Sequence, residues 1–208
     1  MLLTQAATRS LARSYIHTSS AVFASMRPYA APIPSSSPLS SLTPTPRNPK
    51  WREVVEASFA AQSFMAHLGA TLTHASPGAV DITAVASPNL RQQRDFFHAG
   101  VTTSVLDSAA GYAALSLFPA GTDVLTTELK VNLLQPAQGD RLVAKGRVIR
   151  NGRTLTVCRA DVFAVTDVAA DSTSSDVSAR SGGEQSGTKE MHVATALLTM
   201  MQVVSPIA

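Results

Sequence analysis

Directly after a proline-rich stretch, apolar residues recur at helical spacing in "WREVVEASFAAQSFMAHLGA": Trp51, Val54, Ala61, Met65 and Leu68. The spacing predicts one helix from residue 51 to near Gly69. "ATLTHASPGAVDITAVA" then reads as two short strands around a Pro77-Gly78 turn. "SPNLRQQRDFF" is polar and holds Pro88, so a loop is expected. From Ala99 to Leu117 runs the longest helical candidate, crowded with small residues (Ala109, Ala110, Gly111, Ala113, Ala114). Small side chains let other backbone approach closely. Gly111 costs helix propensity, roughly 1 kcal/mol relative to Ala.

Beyond that segment the period changes to two. In "DVLTTELKVNLLQP" the alternation puts Leu125, Leu129, Val131 and Leu133 on one face. It puts Thr126, Glu128, Lys130 and Asn132 on the other. Pro136 and Gly139 mark a turn, "RLVAKGRVIR" another strand, and Asn151-Gly152 a hairpin. "RTLTVCRADVFAVT" and "EMHVATALLTMMQVV" are apolar on both faces, as in a covered or interface-forming sheet. The sum is α+β: five to six antiparallel strands, one long central helix between the second and third, and a short N-terminal helix. Residues 167–189 carry almost no bulky apolar side chain, and a disordered loop insertion is expected there.

Charge divides the chain. Residues 1–50 hold five of the 17 basic residues and no acid, leaving 12 basic against 14 acidic beyond them. The basic character therefore belongs to the tail, and a nucleic-acid partner is not expected. "MLLTQAATRSLARSYIHTSSAVFASMRPYA" is rich in Arg, Ser and Ala. Residues 1–27 read as an organellar transit peptide, with cleavage near Tyr15. The expected destination is the mitochondrial matrix, with the plastid as the alternative. Residues 28–50 read as a disordered Pro/Ser-rich linker, since seven of the twelve prolines fall there. No apolar run is long enough for stable membrane insertion. The folded domain is expected over 51–204.

Candidate chemistry gathers in "LRQQRDFFHAGVTTSVLDSAAGYAA". A lone carboxylate, Asp107, stands in an apolar or small-residue helix nine residues after His98. This stretch resembles the signature of PaaI-like hotdog acyl-CoA thioesterases: a polar amide, His-Gly-Gly or His-Ala-Gly, an Asp nine residues on, then a small-residue helix. "VLTTELKVNLLQPAQGDRLVAKGRVIRNGRTLTVCRADVFA" is similar to the same family.

The resemblance implies a hotdog fold and hydrolysis of an acyl-CoA to free acid and coenzyme A, with no cofactor. It makes Asp107 the base that activates water, or less readily a nucleophile. Backbone N–H groups of Ala99 and Gly100 would polarise the carbonyl, helped by the helix dipole. His98 would shape that turn rather than act as a base. Gln92 stands where relatives often have Asn, and Thr126 where they have Ser or Thr beside the catalytic water. Arg150, Asn151, Gly152 and Arg153 match the hairpin used near the coenzyme A nucleotide, where guanidinium groups suit phosphate. Departures are Ala99 for Gly and Gln92 for Asn.

His98 and Asp107 should not meet within one chain. Nine residues of helix set them about half a circumference apart and about 13 Å along the axis. The family builds its site across a subunit interface, which implies a homodimer or homotetramer. Two rival readings stay open: a non-catalytic acyl-CoA-binding or scaffolding hotdog subunit, and a hotdog hydratase or dehydratase. Thr126 is alternatively a plain strand threonine, and Arg150 and Arg153 solvated hairpin charges. His67, His74 and His192 lack acid or cysteine partners at metal-ligand spacing, so no metal is assigned. Cys158 is expected to be buried and inert.

Overall fold

The computed structural model describes residues 44–168 and 187–205. The expected presequence, the linker before residue 44 and residues 169–186 of the insertion lie outside the described residues.

The N-terminal helix is not continuous. It forms α1 (Trp51–Ala61) and α2 (Ser63–His67), with Gln62 extended between them at φ −80° and ψ 93°. Neither Pro nor Gly stands at the break. Strands β1 (Ala70–Ser76) and β2 (Ala79–Val85) follow, turning at Pro77-Gly78. Gly78 has φ +76°, a left-handed conformation that favours glycine. The central helix α3 covers Ala99–Leu115, two residues shorter than the sequence predicts. Its end is fastened by Ser116, whose hydroxyl donates to Ala113 O (2.6 Å) and accepts from the Gly78 N–H (2.8 Å). The remaining strands are β3 (Thr122–Leu133), β4 (Arg141–Asn151), β5 (Leu155–Val168) and β6 (Gly187–Val204).

All six strands form one antiparallel sheet in the order β1-β2-β4-β5-β6-β3. The sheet wraps α3, which touches every strand. This is the hotdog arrangement. The core lies between helix and sheet: Val105, Leu106, Ala109, Ala110, Ala113 and Ala114 meet Ile82, Leu142, Ala144, Ala160, Val162 and Leu198, all sealed from solvent. The small-residue face of α3 has a clear cause at Gly146 on β4. Any side chain there would run into the backbone of Ala109 and Ala110. Helix and sheet approach so closely that neither side has room for bulk.

Two boundaries differ from expectation. Residues 45–50 are part of the domain rather than linker: Asn48 is buried, and Arg47 donates to Leu117 O (3.1 Å) and Gln202 Oε1 (2.9 Å). Strands β5 and β6 also continue into both ends of the expected insertion, pairing Asp167 with Thr188 and Val168 with Gly187. Among the described residues, no helix is long and apolar enough to cross a membrane.

Candidate active site

Asp107 sits midway along α3, partly buried between the sealed Leu106 and the half-buried Ser108. Burial lifts its carboxyl above the usual 3.8, because a buried charge loses its hydration. One interaction opposes this. The Thr126 hydroxyl donates to Asp107 Oδ1 at 2.8 Å and favours the charged form.

How Thr126 reaches Asp107 corrects the reading of simple alternation. That reading placed Thr126 on the polar face with Glu128, Lys130 and Asn132. A bulge intervenes between Thr126 and Glu128. Thr126 pairs with the buried Met200, whereas Glu128 pairs with Thr199 on the outer side. One extra residue reverses the facing of everything before it. Thr126 therefore turns inward, toward the helix, and Leu125 turns outward.

At the start of α3, His98 is the N-cap. Its Nδ1 accepts the Gly100 N–H at 2.9 Å, which places the proton of the neutral ring on Nε2. The expectation of two free N–H groups is thereby corrected. Gly100 is occupied, and Ala99 keeps an N–H with no partner among the described residues. All three residues are exposed. Gln92 lies in the preceding turn, where its Oε1 accepts the Arg94 N–H (2.7 Å) and its backbone bonds Phe96 and Asp95.

Two cavities separate these groups. One, of about 420 Å³, lies beside Gln92, Ala99, Phe96, Leu133 and Leu134. The other, of about 400 Å³, lies beside Asp107, Thr126, Gln62, Ser58 and Tyr112. A single chain thus brings Asp107 to Thr126, and Gln92 to Ala99, but does not join the two pairs. Along α3, Ala99 and Asp107 stand about 12 Å apart.

The Arg150–Arg153 hairpin is further away. Asn151, Thr156, Met200 and Thr126 form one row across four strands. Three strand spacings make this about 14 Å along the sheet. Asn151 Oδ1 accepts from the Thr156 hydroxyl at 2.9 Å, and the Gly152 N–H bonds Leu155 O at 3.0 Å. No described acid pairs with Arg150 or Arg153. Cys158 is sealed, and burial pushes its thiol up to about 12, which leaves no reactive thiolate. Among the described residues, no three His, Cys, Asp or Glu side chains converge as metal ligands.

A family model, the thioesterase superfamily, matches residues 95–171. The span begins just before His98 and includes Asp107, Thr126 and the hairpin. A solved structure, a thioesterase family protein from Silicibacter pomeroyi, is 37% identical. The alignment covers 74% of this chain and 99% of that one, with a TM-score of 0.63. This chain belongs to the thioesterase superfamily. The PaaI protein of E. coli, from the phenylacetic acid degradation operon, shares the fold at a TM-score of 0.57. It is 17% identical, over 74% of this chain and 94% of that one. A curated relative from Halobacterium salinarum, named as a candidate esterase, is 36% identical over 74 residues. The chain spans about half the length of that relative, 48%.

Within the superfamily pattern, the sequence singled out Asp107, His98, Ala99, Gly100, Gln92 and Thr126, but missed Gln62, Ser58 and Tyr112. Tyr112 lies on α3 with Asp107, whereas Ser58 and Gln62 join the same cavity only through the packing of α1 on α3. An edge-on contact of Phe59 with Tyr112 (5.6 Å between ring centres) holds that packing. The break at Gln62 carries no breaker residue, so local sequence held no signal for it.

Proposed function

We propose that this protein is an acyl-CoA thioesterase that works as a dimer, each site using Asp107 of one subunit and the α3 start of the other. The observation that carries the reading is the Thr126–Asp107 pair, a partly buried carboxylate facing an open cavity. Such a carboxylate is a stronger base than one in water, and Thr126 orients it.

The division of the site between two cavities supports the dimer. Strand β3 is one of the sheet's two edges, twelve residues long and exposed along most of its length. An unpaired edge of that length invites a partner strand. The Asp107 cavity borders the start of β3, at Val124–Thr126, and the Ala99 cavity borders its end, at Leu133–Leu134. Two copies pairing β3 antiparallel about a twofold axis would lay the start of one strand beside the end of the other. Asp107 and Thr126 of one subunit would then face Ala99 and Gln92 of the second.

The chemistry follows from these groups. Asp107 takes a proton from a water molecule as its oxygen attacks the thioester carbon. The Ala99 N–H, at the positive end of α3, meets the developing oxyanion. Collapse of the tetrahedral intermediate breaks the C–S bond, and the proton on Asp107 leaves with coenzyme A as its thiol. His98, by holding the Gly100 N–H, keeps the turn in shape. Arg150 and Arg153 carry free positive charge suited to the phosphates of coenzyme A. The acid-free first 27 residues support delivery to the mitochondrial matrix.

The test is thiol release by the purified protein over a panel of acyl-CoAs. Asp107→Asn is expected to lower the rate about a hundredfold or more, the usual scale of a lost general base. Unchanged turnover in that variant would overturn the assignment. Tight acyl-CoA binding without turnover in the unaltered protein would point to a binding subunit.

A further inference from the structure

The wall of the Asp107 cavity has two features that folding alone does not require. The first is Gly111, four residues after Asp107 and so on the same helix face. Elsewhere on α3, small residues answer the close approach of the sheet. That reason fails at Gly111. A methyl group there would meet only Val124 Cγ1 at 3.9 Å, an ordinary contact. Alanine would fit and would suit a helix better. What glycine adds is open space beside Asp107.

The second is Gln62. The helix breaks at this residue with no Pro or Gly to cause it, and the residue lines the cavity. Its Oε1 is sealed inside the protein and out of reach of the cavity, whereas its Nε2 is not sealed and has no partner among the described residues. A ligand that displaced water from the Nε2 would leave it unpaired unless it brought a group able to accept a hydrogen bond. Ser58 and Tyr112 also line this cavity. The charged side chains lining this cavity are Asp107 and Asp123, with no cation among them.

We propose that this cavity is the acyl subsite, and that it takes a compact acyl group bearing a neutral hydrogen-bonding substituent such as a hydroxyl. Gly111 sets the width and Gln62 reads the substituent. The inference rests on the thioesterase reading. A carboxylated acyl group would face two acids without a compensating charge. A plain alkyl chain would leave the Gln62 amide unpaired.

The test compares butanoyl-CoA hydroxylated at its terminal carbon with pentanoyl-CoA, a pair that exchanges a hydroxyl for a methyl group. The full chain is expected to favour the hydroxylated substrate about tenfold in kcat/KM, the scale of one hydrogen bond. Gln62→Leu is expected to erase that preference. Gly111→Leu is expected to lower kcat/KM for both, relative to acetyl-CoA, by about tenfold or more, as an overfilled pocket would. Gly111→Ala, which fits the fold, should move the same ratio in the same direction by less.

Equal rates for the pair in the unaltered protein, or a preference that survives Gln62→Leu, would overturn the subsite and leave the thioesterase reading intact. If no acyl-CoA is hydrolysed, binding of the non-hydrolysable S-alkyl thioethers with the same two tails decides. A hydroxyl preference lost in Gln62→Leu would uphold the subsite without the activity. Equal binding of the two thioethers would reject it.

Discussion

Asp107 is a carboxylate in surroundings that resist its charge, and that tension can be measured. Burial favours its neutral form, while the Thr126 hydroxyl favours the carboxylate. Burial prevails, so the folded protein holds a proton more tightly than the unfolded chain from 3.8 up to the raised value. Any stability from this group is complete below 3.8 and is lost as pH rises through the folded pKa. Asp107→Asn keeps an oxygen for Thr126 and removes the charge. It should therefore melt at a higher temperature than the unaltered protein at neutral pH, the gap closing below 3.8. Thermal melts across pH check this. Thr126→Val removes the one interaction that pulls the pKa down. The acid limb of its kcat/KM profile should move to higher pH, whereas Thr126→Ser should restore it. A uniform drop without displacement would mean that Thr126 does not act through Asp107.

At the level of elements, position depends on two irregularities and one close approach. The bulge in β3 decides which face carries Thr126, the break at Gln62 brings that residue to the cavity, and Gly146 lets β4 lie against α3. Gly146→Ala would set a carbon against the Ala109 carbonyl and force helix and sheet apart. Overpacking of this kind costs about 1–3 kcal/mol. Urea unfolding should register that loss. Because α3 also carries Asp107, activity should fall with it, even where the variant remains folded.

For the whole molecule, the question is whether one subunit can complete a site. Asp107→Asn spoils the base. Ala99→Pro removes the free N–H at a helix position that tolerates proline. Each variant alone should be inactive. Mixed after unfolding and refolding together, half the dimers would be hybrids with one intact site of two. About a quarter of full activity should return, as twofold symmetry requires. No recovery from folded, dimeric mixtures would place the whole site within one chain.

Much of this was legible in the chain itself, because period and composition are local. The change from helical spacing to alternation marked five to six strands and a central helix. The small residues of α3 announced a close approach, and one carboxylate in an apolar helix marked the candidate site. Tertiary structure decided what depends on contacts between distant segments. The inward turn of Thr126 needed the register of β3 on β6, since a one-residue bulge leaves no trace in a two-residue period. The Gly100 N–H proved occupied because the His98 ring folds back on it. Gln62 and Ser58 joined the cavity only when α1 packed on α3. Local sequence sets which element a residue joins; the packing of one element on another sets which residues share a cavity.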